Sequence, residues 1–205
     1  MPLGLRARGK AQRNRRMLDA ASHLIRDQGY DHARIEDIAA LAELSVGTFY
    51  NYFSTKGDLL LAIVSMEVEE VLAQGATIVA NPVGDVDQTL RALIGGYFDH
   101  SLVYLSKEMW RRAMAISIEA PDTPFSRRYT ELDALLRDQV CEAITALQRR
   151  GRARIGISAQ DVGALVFNNL NMMFIEYVKS DPMTLAELSE TVARQNRPLV
   201  ALLTP

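Results

Sequence analysis

Between Ile35 and Lys56 the sequence gathers polar groups that can contact a phosphate chain or the edges of bases. Hydroxyls and amides donate to phosphate oxygens and hydrogen-bond base edges in the grooves of duplex DNA. A glycine among them removes a side chain, which permits a close approach to a sugar-phosphate chain. A lysine follows at the expected start of the next helix, where its ammonium and the helix N-terminus both favour an anion. The residues are Ser45, Gly47, Thr48, Tyr50, Asn51, Tyr52 and Lys56.

A helix-turn-helix would hold these groups on one surface. Apolar residues at helical spacing predict one helix over about residues 34–42, and Ser45 can cap a second helix that runs to about Phe53. Phe49 and Phe53 are four residues apart and are expected to face the core, which leaves the two tyrosines of the set exposed. The alternative is that these tyrosines are core aromatics as well.

The remaining segments are predicted to be helical too, because strand patterns are almost missing. One helix is predicted before the helix-turn-helix, over about residues 12–28, and a long one follows it to about Ala80. The other predicted segments are 85–101, 102–119, 126–150, 158–179 and 184–203, with Pro198 as a kink or restart in the last. The sequence therefore predicts an all-α fold, with a three-helix helix-turn-helix head at residues 1–54 and a helical body at residues 55–205.

Composition points to a globular protein of a reducing compartment. No apolar run reaches the roughly 18 residues of a membrane span, and no apolar stretch follows the basic N-terminus as in a secretory signal. The single cysteine, Cys141, can make no internal disulfide and is expected to pack beside its apolar neighbours rather than to sense redox state. These features predict a cytoplasmic protein without a membrane segment.

Charge is distributed unevenly along the chain. Residues 1–56 carry nine basic and six acidic side chains, a net charge of +3, so the remainder carries −5 of the overall −2. Six of the basic residues, beginning with Arg6, lie within residues 1–16, which hold no acid. A basic head on an acidic body suits a protein that presents one end to phosphates. The alternative is a basic tail that only aids solubility.

The residues around the predicted helix-turn-helix resemble the DNA-binding segment of TetR-type transcriptional regulators. The resemblance covers roughly residues 12–64, about a quarter of the chain, and its motifs are highly specific. The body resembles the family only in the number and length of its helices. The matching residues are Ala20, Leu24, Gly29, Tyr30, Ile38, Ala39, Ala42, Ser45, Gly47, Thr48, Phe49, Tyr50, Asn51, Tyr52, Phe53, Lys56 and Leu59.

This resemblance implies a homodimeric regulator, with repression favoured, that binds a near-palindromic DNA operator and leaves it when a small molecule enters the body. It implies phosphate contacts from Thr48, Tyr50 and Lys56, and contacts to bases or the groove wall from Val46, Gly47, Asn51 and Tyr52. Two residues depart from the family pattern. Arg34 replaces a capping threonine, and although it cannot cap, it can itself reach phosphate. Glu43 replaces a glycine, so the turn is expected to differ and to bring a negative charge near the duplex.

The segment from Asp161 to Lys179 is apolar nearly all round, which indicates a helix buried between two partners. One partner would be the interior of the body. The other would be a second copy, since the resemblance implies that the last two long helices form a dimer interface. The alternative is a central helix of a monomer. Asn168, Asn169 and Asn171 interrupt the segment, and their amides would pair either across the dimer or with a ligand.

Methionines and aromatic residues of the body could line a pocket for an apolar or aromatic small molecule, with His100 or Asn171 orienting a polar group. The alternative is that these side chains form an ordinary core. The candidates are Met66, Tyr97, Phe98, His100, Met109, Trp110, Met114, Asn171, Phe174 and Tyr177.

Motifs for catalysis or metal binding are missing from the sequence. The three histidines and Cys141 do not have metal-ligand spacing, and there is no phosphate-binding loop, nucleophile elbow or HExxH. The sequence therefore predicts neither an enzyme nor a cofactor. Two other functions stay open: a helical small-molecule-binding protein whose basic arm has no role, and a regulator without an effector.

Overall fold

The structure, a computed structural model, describes residues 5–205, with side chains from residue 8 onward. Within that range the chain forms α-helices and connecting turns, which confirms the predicted all-α class. None of the described helices is both long and apolar enough to cross a bilayer. The helices are α1 (Leu5–Gln28), α2 (Ile35–Leu41), α3 (Val46–Tyr50), α4 (Lys56–Ala80), α5 (Val86–His100), α6 (Lys107–Glu119), α7 (Pro124–Arg149), α8 (Ala159–Lys179) and α9 (Leu185–Leu203).

Three helices differ from their predicted bounds. Helix α1 begins at Leu5 rather than near residue 12, and α3 ends at Tyr50, about one turn early. Helix α6 begins at Lys107 rather than near residue 102, because the Ser106 hydroxyl accepts the Met109 N–H at 3.3 Å and caps the helix there. Helix α9 runs through Pro198 without a restart.

Packing divides the chain into two compact units. The first contains the residues up to Met66 together with Tyr104–Arg127, and the second contains Glu67–Val103 with Arg128–Pro205. The first unit thus holds α6 in addition to the predicted head. The division at residues 54 and 55 into a DNA-binding and an effector-binding domain concerns function and remains a prediction.

The first unit is built around apolar side chains from α1, α2, α3, α4 and α6. A helix as short as α3 is marginal by itself, so its conformation depends on this packing. The fully buried side chains on these helices are Met17, Ala21, Ile25, Ile38, Ala39, Phe49, Leu59, Leu60, Ile63, Met109 and Ala113.

The core of the second unit lies among α5, α7, α8 and α9, and it contains satisfied polar groups. Gln139 accepts the Tyr97 hydroxyl at 2.7 Å and donates to the Leu72 carbonyl at 2.8 Å, so its buried amide is paired at both atoms. Cys141 is buried and its Sγ donates to the Gln160 carbonyl at 3.5 Å. Burial raises the pKa of the Cys141 thiol, which agrees with the packing role predicted for it.

Candidate nucleic-acid interface

The turn between α2 and α3 is closed by hydrogen bonds of Ser45. Its hydroxyl accepts the Thr48 N–H at 3.1 Å and lies 2.8 Å from the Thr48 hydroxyl, so Ser45 is the cap that the sequence predicted. Ser45 therefore fixes the first turn of α3 while its side chain stays at the exposed end of the helix.

Glu43 adopts a left-handed backbone conformation, with φ of +54°. Glycine adopts this conformation without strain, so the backbone of the turn has a shape that a glycine could also take. Arg16 Nη2 pairs with Glu43 Oε2 at 2.7 Å and also donates to the Ala42 carbonyl. The left-handed conformation costs a residue with a side chain about 1–2 kcal/mol. The ion pair with Arg16 reduces the negative charge that the sequence predicted near the duplex.

The outer surface of α3 has the orientation that the sequence predicted. Tyr50 is half-exposed and its ring meets the edge of the fully buried Phe49 ring, with centroids 5.8 Å apart. Asn51 and Gly47 are exposed, whereas Val46 and Thr48 are half-buried. Tyr50 is therefore not a core aromatic.

Basic side chains of α1 lie beside the end of α3. Arg13 Nε donates to the Tyr52 hydroxyl at 3.2 Å, and Lys10 Nζ lies 6.0 Å from the centroid of the Tyr52 ring. Tyr52 is therefore half-buried under two cations. The predicted basic arm is helical from Leu5, although the side chain of Arg6 lies outside the described side chains.

Arg34 stands at the N-cap of α2, where its side chain makes no capping hydrogen bond and is exposed. The missing capping hydrogen bond agrees with the prediction that arginine cannot cap this helix. Lys10 and Arg13 thus add exposed positive charge beside α3, and Arg34 adds it at the start of α2. We call the outward side chains of Lys10, Arg13, Arg34 and residues 45–52 the recognition surface.

Lys56 has a different role from the one expected of it. Its ammonium donates to the carbonyls of Tyr30, Asp31 and Ala33 at 2.6, 3.2 and 3.0 Å. An ammonium has three N–H groups, so these bonds use all of its donors. The prediction that Lys56 contacts phosphate is not supported by this geometry, which instead has Lys56 holding the α1–α2 loop, residues 29–34.

The same loop is bound by side chains of α6 that the sequence did not single out. Glu108 Oε1 accepts the Tyr30 N–H at 3.1 Å, and Arg112 Nη2 pairs with Asp31 Oδ1 at 3.2 Å. The Arg112 guanidinium also lies 5.4 Å from the centroid of the Tyr30 ring. Helix α6 and the α1–α2 loop are therefore joined by charged hydrogen bonds.

The residues predicted to line a ligand pocket fall in both units. Met66, Met109, Trp110 and Met114 belong to the first unit, where Met109 and Trp110 are buried. The other six belong to the second unit and are Tyr97, Phe98, His100, Asn171, Phe174 and Tyr177.

Most of the predicted pocket residues of the second unit are packed as core. Phe174 stacks on Phe98 with centroids 6.2 Å apart and lies 5.8 Å from the Tyr177 ring. Tyr97 is also buried, whereas Asn171 is half-buried. The aromatic residues thus follow the core alternative, and their role in ligand binding remains a prediction.

His100 belongs to a polar cluster with two glutamates of α4. Its Nδ1 lies 2.6 Å from Glu67 Oε1, and its Nε2 lies 3.4 Å from Glu70 Oε2. Glu67 is almost fully buried, and the imidazole of His100 is a polar partner for its carboxylate. His100 is therefore held by protein groups at both ring nitrogens.

Residues 17–63 match a family model of known proteins, described as bacterial regulatory proteins, tetR family. FasR, an HTH-type transcriptional activator of Mycolicibacterium smegmatis, is 33% identical over 102 residues, 48% of this chain and 46% of FasR. KstR, an HTH-type transcriptional repressor of Rhodococcus jostii, is 32% identical over 71 residues, 35% of this chain and 34% of KstR. The chain matches less than half of each of these relatives.

Solved structures of TetR-family regulators are similar over nearly the whole chain. A regulator from Mesorhizobium loti has a TM-score of 0.74 at 20% identity, covering 95% of this chain and 98% of that one. FadR of Thermus thermophilus, a transcriptional repressor in complex with lauroyl-CoA, has a TM-score of 0.67 at 22% identity, covering 92% and 94%. These similarities show the fold, an N-terminal helix-turn-helix followed by a helical body.

Replacing Lys56 by methionine should lower the free energy of unfolding by about 1–3 kcal/mol, because part-buried carbonyls of the α1–α2 loop lose their donor. Urea denaturation at one fixed protein concentration measures the change. Lys10→Met is the control, since that side chain is exposed and the change should be within about 0.5 kcal/mol. Equal stability of the two variants would contradict the structural role of Lys56.

Proposed function

Because the chain belongs to the tetR family of bacterial regulatory proteins, we propose that it is a DNA-binding transcriptional regulator that acts as a homodimer. The observation that carries the proposal is the recognition surface, where exposed Tyr50 and Asn51 lie on α3 and the cations Lys10 and Arg13 lie beside it. Cations supply affinity for the phosphate chain, and amides and hydroxyls supply base readout.

Three classes of residue can be distinguished in this proposal. The first binds phosphate through hydroxyls or cations and consists of Thr48, Tyr50, Lys10, Arg13 and Arg34. The second faces bases or the groove wall and consists of Val46, Gly47, Asn51 and Tyr52. The third positions the recognition helix without touching DNA and consists of Ser45, Lys56 and Arg16, whose hydrogen bonds are made within the protein.

A homodimer would bind a near-palindromic operator, because two identical heads related by a two-fold axis match two half-sites of opposite direction. We propose repression as the outcome of binding. KstR is a repressor by name and FasR an activator, so both outcomes occur among the relatives.

The dimer contact is proposed to lie on α8 and α9. Leu165 and Met172 are more than half exposed and stand seven residues apart on α8, with the exposed Asn168 between them on the same face. On α9, Leu202 is also about half exposed. Large apolar side chains that stay exposed on one helix face favour an interface with another protein.

Release from DNA is proposed to begin at α6. One side of this helix buries Met109, Trp110 and Ala113, whereas Glu108 and Arg112 bind the α1–α2 loop. A small apolar effector that displaced the buried side would therefore move the groups that hold the loop. FadR of Thermus thermophilus binds lauroyl-CoA, which makes an acyl compound a reasonable effector to test first.

Variants of the recognition surface test the DNA-binding proposal. Asn51→Ala should reduce the preference for the operator over random duplex by about 1–3 kcal/mol, because a base contact is lost. Arg13→Ala should weaken binding to both duplexes alike and lower the slope of log affinity against log salt by about one. The measurement is fluorescence anisotropy with DNA from upstream of the protein's own gene.

Lys56→Met is the matched comparison for Arg13→Ala. It should weaken binding to both duplexes without changing the salt slope, since its ammonium binds carbonyls. A lower slope would mean that Lys56 neutralises a phosphate directly. If the wild-type chain binds no DNA, the alternative of a helical small-molecule-binding protein is favoured.

Charge placed on the exposed face of α8 should separate the dimer. The double change Leu165→Glu and Met172→Glu should give a particle of 22.8 kDa in sedimentation equilibrium, in place of one twice that mass. Leu135→Glu on α7 is the control, because that leucine is also exposed but lies outside the proposed interface. A dimer that survives the double change would exclude this face as the contact.

Removing a contact between α6 and the α1–α2 loop should change the response to the effector without abolishing DNA binding. Lauroyl-CoA and a panel of neutral apolar compounds are added to the DNA complex, and at least one is expected to release the wild-type protein. Arg112→Ala should still bind DNA but need a different effector concentration for release, because one tie between α6 and the loop is gone. Release of this variant at the wild-type concentration would argue against coupling through Arg112.

A further inference from the structure

A groove of about 300 Å³ runs between α5 and α9 within the second unit. Its floor is apolar and consists of buried side chains that include Leu90, Ile94, Phe98 and Val192. Ligand sites in proteins are typically concave, mostly apolar and about 300–1,000 Å³ in volume, with few polar groups. Of the residues predicted to line a pocket, only Phe98 takes part, so this groove differs from the effector site proposed from the sequence.

Gly95 leaves space in the wall of this groove. It lies in the middle of α5, where glycine costs a helix about 0.5–1 kcal/mol relative to alanine. A Cβ atom at Gly95 would meet no atom within 4 Å, so packing within the described chain does not require glycine here. The neighbouring Gly96 has equally open surroundings but does not line the groove, which makes it a matched control.

Asn196 supplies a polar group to the same groove. Its side chain is only 4% exposed, and its Oδ1 accepts a hydrogen bond from Asn169 Nδ2 at 2.9 Å. Its Nδ2 makes no hydrogen bond with the described residues. The Nδ2 atom is not fully enclosed by protein, so it is accessible from the groove that the Asn196 side chain lines. Asn196 therefore offers a donor to a molecule in the groove.

The charges at the rim restrict what such a molecule can be. Asp87 and Arg91 pair with each other at 2.6 Å, and Glu190 adds a negative charge. An anion would be repelled by Glu190, and a cationic centre itself offers no acceptor to the Asn196 Nδ2 group. A neutral oxygen acceptor on an apolar body satisfies both conditions.

We propose that the α5–α9 groove binds a small, neutral, apolar molecule through one carbonyl oxygen, which accepts from Asn196 Nδ2. The site is separate from the recognition surface and does not depend on the proposed DNA binding. It is also separate from the exposed face of α8, because Leu165 and Met172 do not line it.

Two probes of nearly equal shape test the carbonyl. Acetophenone carries a carbonyl oxygen that can accept a hydrogen bond. In ethylbenzene an ethyl group replaces the acetyl group, so this acceptor is missing. Isothermal titration of the full-length protein should give one acetophenone site per chain in this groove, with affinity about 2- to 13-fold higher than for ethylbenzene, as expected for one net hydrogen bond. Asn196→Asp, which keeps the shape but removes the donor, should abolish this preference.

Filling the groove tests its location. Gly95→Leu should remove one acetophenone site per chain, whereas Gly96→Leu should keep it, and both variants should remain folded because leucine favours a helix over glycine. The proposal is overturned if Gly95→Leu binds as the wild type does, or if the wild type binds neither probe. It is also overturned if Gly95→Leu lowers the particle mass in sedimentation, since the groove would then be an interface between copies.

Discussion

The position of α3 depends on two cations that hydrogen-bond the loops on either side of α2. A helix of five residues makes little more than one turn and cannot fix its own direction. Lys56 binds three carbonyls of the loop before α2, and Arg16 binds the Ala42 carbonyl and Glu43 after it. Both loops leave carbonyls that no helix satisfies, so these charged donors stabilise an otherwise costly arrangement. Phe49, which is fully buried, then anchors α3 in the core of the first unit.

Some cations of the head therefore bind groups of the protein itself, and others remain exposed. For this reason the number of cations in the head does not measure its attraction for phosphate. Lys56 and Arg16 neutralise groups of the protein itself, whereas Lys10, Arg13 and Arg34 keep their charge on the recognition surface. The negative charge of the Glu43 carboxylate does not fully offset the positive charge of that surface, because Arg16 pairs with it. Its left-handed backbone is the strained element of the turn, and the same arginine bonds the turn at the preceding carbonyl. Strain of this kind persists where the surrounding structure determines the conformation.

Much of this structure could be predicted from the sequence, because helical periodicity and caps are local signals. Phe49 and the Ser45 cap follow from spacing and residue type alone. The start of α1 could not be placed, since residues 8–15 are largely exposed, include Gly9 and offer no apolar face. Lys10, Arg13 and Arg16 do recur every three residues, which would have indicated one helical face. The ties of Lys56 were not predictable, because they join positions 23 to 26 residues apart and involve backbone carbonyls that no side-chain pattern marks. The aromatic residues of the body show the limit of composition, since the same residue types make a pocket wall or a core.

One of the three asparagines of α8 follows neither alternative that the sequence offered. Asn169 pairs within the chain with Asn196, and Asn168 lies on the exposed face with Leu165 and Met172. The amide pair therefore connects the lining of the α5–α9 groove to the helix proposed to form the dimer. A ligand that binds Asn196 could influence dimerisation only through a difference in its affinity for the two states. If that difference amounts to one net hydrogen bond, about 0.5–1.5 kcal/mol, the dimerisation constant would change by about 2- to 13-fold. Such a change is large enough to matter only when the protein concentration lies near the dissociation constant of the dimer, so the groove would adjust assembly rather than switch it.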